Sequence, residues 1–487
     1  MPQGDEQGVV FPREHDGRRS TTATGRAVWA DAVRAVDPGL AQRIEAASDW
    51  REDYVDLVVE HTAAAARTAA GAVEVARAGL TSLAGRMQFD QGGMSWTVDA
   101  AVRSGLGAPD VQTVRGGGAG EQELVVPYDG QQLHGDALRR QLDTWVERGT
   151  IEPSCGQALH RVVEEPEWLD LSDRAFALLG AGAELGPLVP LLAWGGHVLA
   201  VDVPKPQVWE RILATARAGA GSLTHPAGEP GIDLLTRTPE VAAFLRTAGD
   251  GLPLTVGSYA YADGARHVQV VHASDAVIDL LLRERPDTSY AELATPTDAF
   301  AVPSEVVDDA RRRWVHRGWR ALAQKPAQLV TRGGLYAPAY GALVEREDGS
   351  TLGIADVLVP QQGPNYTLAK RVQRWRAVVA QADGHLVSAN VAPATNTRSV
   401  TKNRMLAAAY AGASRFGVEV FAPETSRVLM AALLVHDLRA KTPAPAHPDD
   451  LFVSGAAHGG LWRAAYRPAS VLGLAALTGL PSTLRRR

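Results

Sequence analysis

The sequence contains a single cysteine, Cys155, among 487 residues. One cysteine cannot form an internal disulfide, and it excludes a zinc site built from several thiolates. The thirteen histidines include no His-Glu-x-x-His pair, so the spacing that holds zinc in many metalloproteases is absent as well. We therefore predict no metal site, and the scarcity of cysteine fits a reducing cytoplasm.

Long apolar runs and a strong charge of one sign are also missing. The formal net charge of -6 is small for this length and favours neither nucleic acid nor an anionic membrane as the partner. The apolar stretches near 175–203 and 469–480 are interrupted or too short to cross a bilayer. The polar first 25 residues lack the apolar segment of a signal peptide. We expect a cytoplasmic protein with a small-molecule substrate, and the sequence leaves a homo-oligomer open.

The hydrophobic pattern divides the chain into four segments. Residues 1–25 are polar and are predicted to be disordered. Residues 26–170 carry apolar residues at three- and four-residue steps, which predicts a mainly helical N-terminal domain. Residues 171–440 alternate short apolar strands with helical stretches, and residues 441–487 form a C-terminal extension. The predicted fold class is α/β, with a doubly wound parallel (Rossmann-like) sheet preceded by the mainly helical N-terminal region.

The pattern also predicts individual elements. Strands are expected at 123–128, 175–179, 197–201, 254–256, 268–271, 291–294, 355–359 and 386–391. Helices are expected at 135–147, 156–164, 207–219, 275–284, 304–323, 366–382 and 401–415. A strand, a helix and a second strand follow one another from residue 175, which indicates a parallel crossover unit.

A glycine-rich turn follows the first of these buried strands. Gly180, Gly182 and Gly186 are spaced Gly-x-Gly-x-x-x-Gly, and Asp202 ends the next strand. In a dinucleotide-binding turn the first glycine allows the tight bend, the second lets the backbone approach the diphosphate, and the third allows close packing of helix and strand. Asp202 would then bind a ribose hydroxyl. The turn predicts a nucleotide site that prefers NAD, although Lys205 keeps NADP possible.

Two other interpretations of this turn remain open. Glu184 adds a negative charge to the proposed phosphate site, and Pro187 and Pro190 lie in the first turns of the expected helix. A strand, turn and helix that bind nothing would show the same pattern. A different nucleotide-like ligand, such as S-adenosylmethionine, would also be compatible with it.

A tyrosine and a lysine stand four residues apart in the predicted helix at 366–382. Residues at this spacing share one helix face, so Lys370 is expected beside Tyr366. The ammonium charge would favour the phenolate and lower the pKa of Tyr366 from its ordinary value near 10. A phenol adjusted in this way can exchange a proton with a carbonyl or an alcohol. Lys370 could also hold a nicotinamide ribose.

Together these motifs resemble the short-chain dehydrogenase/reductase family over roughly residues 172–430. The resemblance rests on the glycine turn, on Tyr366-x-x-x-Lys370, and on the following strand with Asn390 and Pro393. It implies that Tyr366 and Lys370 are catalytic, and that Asn390 and Pro393 lie near the cofactor. The nearest hydroxyls in the place of the family's catalytic serine are those of Ser350 and the adjoining Thr351. The segment 294–298 is a candidate for the family's Asn-Ala-Gly element.

The sequence therefore predicts an enzyme, an NAD(P)-dependent oxidoreductase that transfers a hydride between nicotinamide and a carbonyl or alcohol. Two alternatives stay open. The nucleotide could serve an isomerase, lyase or methyl-transfer reaction without net redox change. The chain could also bind a nucleotide without catalysing any reaction.

Overall fold

The computed structural model describes residues 7–104, 107–228, 230–249, 251–331, 334–440 and 442–485. The α-helices of these ranges are α1 Thr21–Val33, α2 Pro38–Ala46, α3 Trp50–Ala65, α4 Ala69–Arg86, α5 Val98–Val102, α6 Gly135–Arg148, α7 Pro153–Glu164, α8 Leu188–Ala193, α9 Pro206–Ala218, α10 Thr238–Thr247, α11 Ala265–Glu284, α12 Ser304–Val315, α13 Trp319–Val330, α14 Pro364–Ala382, α15 Arg398–Lys402, α16 Arg404–Gly412, α17 Pro423–Arg439 and α18 Pro468–Arg485. The β-strands are β1 Gly8–Val10, β2 Gln88–Gln91, β3 Met94–Thr97, β4 Val111–Arg115, β5 Val126–Tyr128, β6 Gln131–Leu133, β7 Ala175–Leu179, β8 His197–Val201, β9 Ser222–Pro226, β10 Leu254–Ser258, β11 Ser289–Ala294, β12 Ala299–Pro303, β13 Leu343–Glu345, β14 Thr351–Asp356 and β15 Val387–Val391.

A seven-stranded sheet lies at the centre of the molecule, in the order β15-β11-β10-β7-β8-β9-β4. Six of its strands are parallel, and β4 pairs antiparallel with β9 at one edge. The chain enters the sheet's parallel part at β7, adds β8 and β9 on one side, and then crosses to add β10, β11 and β15 on the other. The strand order therefore reverses between β7 and β10, and in open α/β sheets such a point is where ligands bind, beyond the carboxyl ends of the strands.

Helices cover both faces of this sheet. Side chains of β7 alternate between two cores, because successive residues of a strand point to opposite faces. Phe176 and Leu178 pack with α8, α9 and α17, whereas Ala177 and Leu179 pack with α10, α11 and α14. The prediction of an α/β protein with a mostly parallel sheet is thus confirmed.

The N-terminal helices pack directly on α14. The rings of Trp29 in α1 and Trp375 in α14 lie 5.5 Å apart. A Cβ atom on Gly79 of α4 would lie 2.4 Å from the ring of Trp375, so only glycine lets the two helices approach this closely. The apolar residues of α1, α3 and α4 belong to the same core as those of α11 and α14.

Several predicted elements differ from the observed ones. The valine-rich stretch at 268–271 is part of the helix α11, whose residues are buried nearly all round, so its composition looked like that of a strand. The helix predicted at 304–323 is two helices, because Gly318 takes a positive φ of 59° between them. The prediction that residues 1–25 are disordered is wrong for the described part of this segment, because residues 8–10 form β1 and α1 begins at Thr21. Residues 1–6 lie outside the described residues.

A separate three-stranded sheet, in the order β12-β14-β13, is inserted in the chain between β11 and α14. The sequence prediction placed only one strand here, at 355–359, and β14 ends at Asp356. Among the helices in the described part of the chain, none is long and apolar enough to span a membrane.

Candidate functional site

The glycine turn occupies the carboxyl end of β7, where the strand order reverses. Gly180 has a positive φ of 91°, a conformation that other residues rarely adopt. A Cβ atom at this position would lie 2.5 Å from the backbone nitrogen of Ala260, in the loop after β10. Gly180 is therefore required by the close passage of two backbones at the switch point.

Asp202 closes the same turn from the end of β8. Its Oδ2 accepts a hydrogen bond from the amide of Gly182 at 2.7 Å, and its Oδ1 accepts one from Val203 at 2.8 Å. Burial raises the pKa of the Asp202 carboxyl, and the two amide hydrogen bonds act in the opposite direction. The structure thus brings Gly180, Gly182 and Asp202 together, as the sequence predicted.

The helix after the turn is shorter and begins later than expected. α8 has six residues and starts at Leu188, after Pro187, which has no amide hydrogen to donate. The amide of Gly186 bonds to the carbonyl of Ala183 at 3.1 Å within the turn. Gly180 and Gly182 therefore lie in an extended turn and not at a helix N-terminus, so a helix dipole does not act at them.

The carboxylate of Glu184 is hydrogen-bonded outside the turn. Its Oε2 accepts a hydrogen bond from the amide of Arg398 at 2.8 Å, at the start of α15. Its backbone carbonyl accepts two bonds from the guanidinium of Arg427 in α17, at 2.8 and 2.9 Å. A positive guanidinium consequently stands directly beside the turn.

Tyr366 lies in the first turn of α14, which connects the fifth and sixth parallel strands. Its hydroxyl donates to Oγ1 of Thr295 at 2.9 Å, and Oγ1 of Thr295 is also 2.9 Å from that of Thr297. Thr295 directly follows β11, so this group of hydroxyls sits at the carboxyl edge of the sheet. The sequence had placed 294–298 at a family element after the fourth strand, whereas it follows the fifth.

Lys370 is not directed at the phenol. Its Nζ donates to Oε1 of Gln373 at 2.8 Å, and Nε2 of Gln373 donates to the carbonyl of Ser258 at 3.1 Å. Burial raises the pKa of Tyr366, while its hydrogen bond with Thr295 acts the other way. The predicted lowering of the Tyr366 pKa by Lys370 is therefore wrong. Burial raises this pKa, and the Lys370 ammonium bonds to Gln373 and not to the phenol.

Two groups near this site were missed by the sequence reasoning. His267 of α11 is 1% exposed, and its ring lies 5.5 Å from that of Tyr366. Glu292 of β11 is 4% exposed and faces the same side of the sheet as Lys370. A carboxylate within an otherwise apolar strand was the only available signal, and β11 reads as Ser-Tyr-Ala-Glu-Leu-Ala.

Of the other predicted site residues, Ser350 lies in a surface turn, whereas Asn390 lines the cavity beside the glycine turn. Ser350 is exposed in the turn between β13 and β14, where its amide bonds to Asp348 at 2.8 Å. It is not among the groups around Tyr366, whose hydroxyl bonds to Thr295. Asn390 is buried in β15 and donates to Oδ2 of Asp437 at 2.7 Å. Pro393 is also buried, and its carbonyl accepts a hydrogen bond from Thr395 at 2.8 Å.

One loop separates the glycine turn from Tyr366. Ala260 of this loop abuts Gly180, and the ring of Tyr261, the next residue, lies 4.9 Å from that of His267. His267 in turn contacts Tyr366. The loop that follows β10 thus contacts the glycine turn through Ala260 and is linked to the phenol through Tyr261 and His267.

A cavity of about 20 Å³ lies between the glycine turn and α17. Leu185, Pro187, Tyr259, Glu292 and Asn390 are among its lining residues. This volume holds about one water molecule. Among the residues that the structure describes, no three His, Cys, Asp or Glu side chains are grouped so that they could hold a metal ion.

No protein-family model matches the chain, and no curated protein or solved structure matches it. The resemblance to the short-chain dehydrogenase/reductase family therefore depends on the residues described above and stays a prediction.

Proposed function

We propose that this chain is an NAD(H)-dependent oxidoreductase, similar to the short-chain dehydrogenases, in which Tyr366 supplies a proton to a substrate carbonyl. The observation that carries the proposal is the hydrogen bond between Tyr366 and Thr295 at the carboxyl edge of the sheet. The strand order supports it. Counted along the chain, the parallel strands follow the order 3-2-1-4-5-6, which is that of doubly wound dinucleotide-binding sheets.

The residues around the glycine turn fit a dinucleotide. Asp202 retains oxygen lone pairs beyond its two amide bonds, and these would accept a ribose hydroxyl. The guanidinium of Arg427, which lies beside the turn, would hold the diphosphate. Lys205 is exposed near Asp202 and keeps NADP possible. The nicotinamide would supply the hydride.

The state of Tyr366 favours reduction over oxidation. Because burial raises its pKa, the phenol is neutral at pH 7 and holds a proton to give. When a hydride adds to the carbonyl carbon, the oxygen becomes a strongly basic alkoxide and takes that proton. Oxidation of an alcohol would need the phenolate, which the buried position disfavours. Thr295 and Thr297 orient the phenol, and their hydroxyls can return a proton to it after the transfer.

Replacement of Tyr366 by Phe tests the proposal. We expect purified protein to bind NADH or NADPH by calorimetry and to oxidise it with one or more members of a panel of small aldehydes and ketones. Tyr366→Phe should keep nucleotide binding and lose roughly 10²- to 10⁴-fold in kcat. Tyr336→Phe, a change of the same size near Tyr466, is the control. Full turnover by Tyr366→Phe would remove the phenol from the mechanism.

Mass spectrometry of ligand released from the purified protein separates the remaining alternatives. Tightly held NAD without net redox turnover would favour an isomerase or lyase, and S-adenosylmethionine would favour methyl transfer. Nucleotide binding without any turnover would favour a non-catalytic protein.

A further inference from the structure

Lys370 differs from the other basic residues of α14 in its surroundings. Arg371 and Arg374 both bond to the carboxylate of Asp298, at 2.9 and 2.8 Å, and Arg376 bonds to Asp275 at 2.7 Å. Lys370 instead donates to the neutral amide of Gln373. In the part of the chain that the structure describes, Lys370 makes no ion pair, so its positive charge is not held by a contacting carboxylate.

Two buried groups with free polar atoms flank Lys370. Both carboxyl oxygens of Glu292 and both ring nitrogens of His267 are buried without a hydrogen-bond partner among the described residues. Each of these groups interacts electrostatically with Lys370, and so does Asp298. Buried polar groups without a hydrogen-bond partner are costly in a protein interior.

We propose that Lys370 is a nucleophilic amine that forms an imine with a small aldehyde or ketone, and that Glu292 is the acid that releases water from the adduct. Tyr366 lies one helical turn before Lys370, and its ring lies 5.5 Å from that of His267. Amines of this kind act as nucleophiles where burial disfavours the ammonium form.

The protonation states agree with this role. Burial lowers the pKa of Lys370, and burial raises the pKa of Glu292. Both shifts favour a neutral amine beside a neutral carboxylic acid. Burial, together with the charge of Lys370, lowers the pKa of His267 to about 3, so its ring is neutral and can donate or accept a hydrogen bond.

The reaction needs no other reagent. The nitrogen lone pair of Lys370 attacks the carbonyl carbon, and a proton moves from nitrogen to the carbonyl oxygen to give a carbinolamine. The Glu292 carboxylic acid then protonates the hydroxyl, the carbon–oxygen bond breaks, and water leaves. The nitrogen lone pair forms the carbon–nitrogen double bond. The protonated imine and the Glu292 carboxylate remain as an ion pair, and addition of water reverses the sequence.

Reductive trapping tests the proposal without any nucleotide, so its outcome is separate from that of the redox function. The full-length chain is incubated at pH 7 with propanal and sodium cyanoborohydride, and each lysine is followed by peptide mass spectrometry. The sequence has five lysines, of which Lys325 and Lys402 are exposed and serve as internal references. An ordinary lysine is unprotonated in only about one molecule in 2,500 at pH 7. We expect Lys370 to be alkylated at least tenfold faster than Lys402.

The variant Glu292→Gln tests the role of the acid independently of the role of the amine. In this variant we expect propanal trapping at Lys370 to slow at least tenfold, because no acid releases water. Acetylation by acetic anhydride needs only a free amine, so it should be about as fast as before, because Gln replaces a side chain that burial already keeps as a neutral carboxylic acid. Alkylation of Lys370 no faster than Lys402 in the unmodified chain would overturn the proposal. Equal propanal trapping with Gln at position 292 would exclude Glu292 as the acid.

Discussion

Asp298 is the residue whose removal should destabilise the candidate site most. Its side chain is 1% exposed, and its carboxylate bonds to Arg371 and Arg374 of α14, so it fastens that helix to the segment between β11 and β12. It also accepts a hydrogen bond from the amide of Ala299 at 2.7 Å. Asp298→Asn preserves the volume and removes the charge, which leaves the buried Arg371 without a contacting carboxylate and Arg374 with only Asp449, at 4.0 Å.

The size of the effect follows from these contacts. A hydrogen bond to a charged group contributes about 1.5–3 kcal/mol, and loss of one partner from a buried ion pair costs about 3–5 kcal/mol. We therefore expect the free energy of unfolding to fall by about 3–5 kcal/mol. Despite burial, the guanidinium groups hold the pKa of Asp298 below its ordinary value. This stabilisation is accordingly present above the pKa of the unfolded chain and is lost as pH falls through the lower, folded pKa.

Urea unfolding followed by tryptophan fluorescence measures the change. The control is Asp99→Asn, which removes the exposed partner of Arg103 in a pair whose side chains are about half exposed. Surface pairs of this kind contribute about 0.2–1 kcal/mol. A loss for Asp298→Asn that is no larger than the loss for Asp99→Asn would refute the reasoning, because it would mean that the two arginines find other partners.

Two further changes test the turn and the buried thiol. Gly180→Ala should destabilise the protein by about 2 kcal/mol or more, because it combines a positive φ with a clash against Ala260. The control is Gly349→Ala, which has a φ of 81° and open space around it and should destabilise the protein less. Equal melting temperatures for the two variants would contradict the clash. Cys155 is fully buried and its thiol pKa is raised by burial, so a disulfide reagent should modify it only in denaturant, and rapid reaction of the native protein would contradict its position.

Local signals in the sequence located much of the sheet and part of the site. The strands β7 and β8, buried except at His197, were predicted at their observed bounds, since each is a short, mainly apolar run next to glycine. The end of α6 at Gly149 was also foreseen, because this glycine takes the left-handed conformation that closes helices. The proximity of Gly180 and Asp202 was predicted in the same way, from a single strand–turn–helix–strand unit of neighbouring residues.

The parts that were missed depend on contacts between distant residues. Glu292 and His267 come near Lys370 only because β11, α11 and α14 are adjacent in the fold. The positions of these residues along the sequence do not indicate that these elements are adjacent. Ser350 was chosen by its distance in sequence from Tyr366. The inserted sheet β12-β14-β13 carries Ser350 away and leaves Thr295 beside the phenol instead.

The packing of α4 against α14 has a consequence for how this protein is made. The first four helices are synthesised long before α14, and the face of α4 at Gly79 has no partner until α14, with Trp375, leaves the ribosome. During that time an apolar surface is open to other chains, which makes the nascent protein a natural client for chaperones. The same arrangement means that the helix bearing Tyr366 and Lys370 reaches its final position only when it packs on the N-terminal helices.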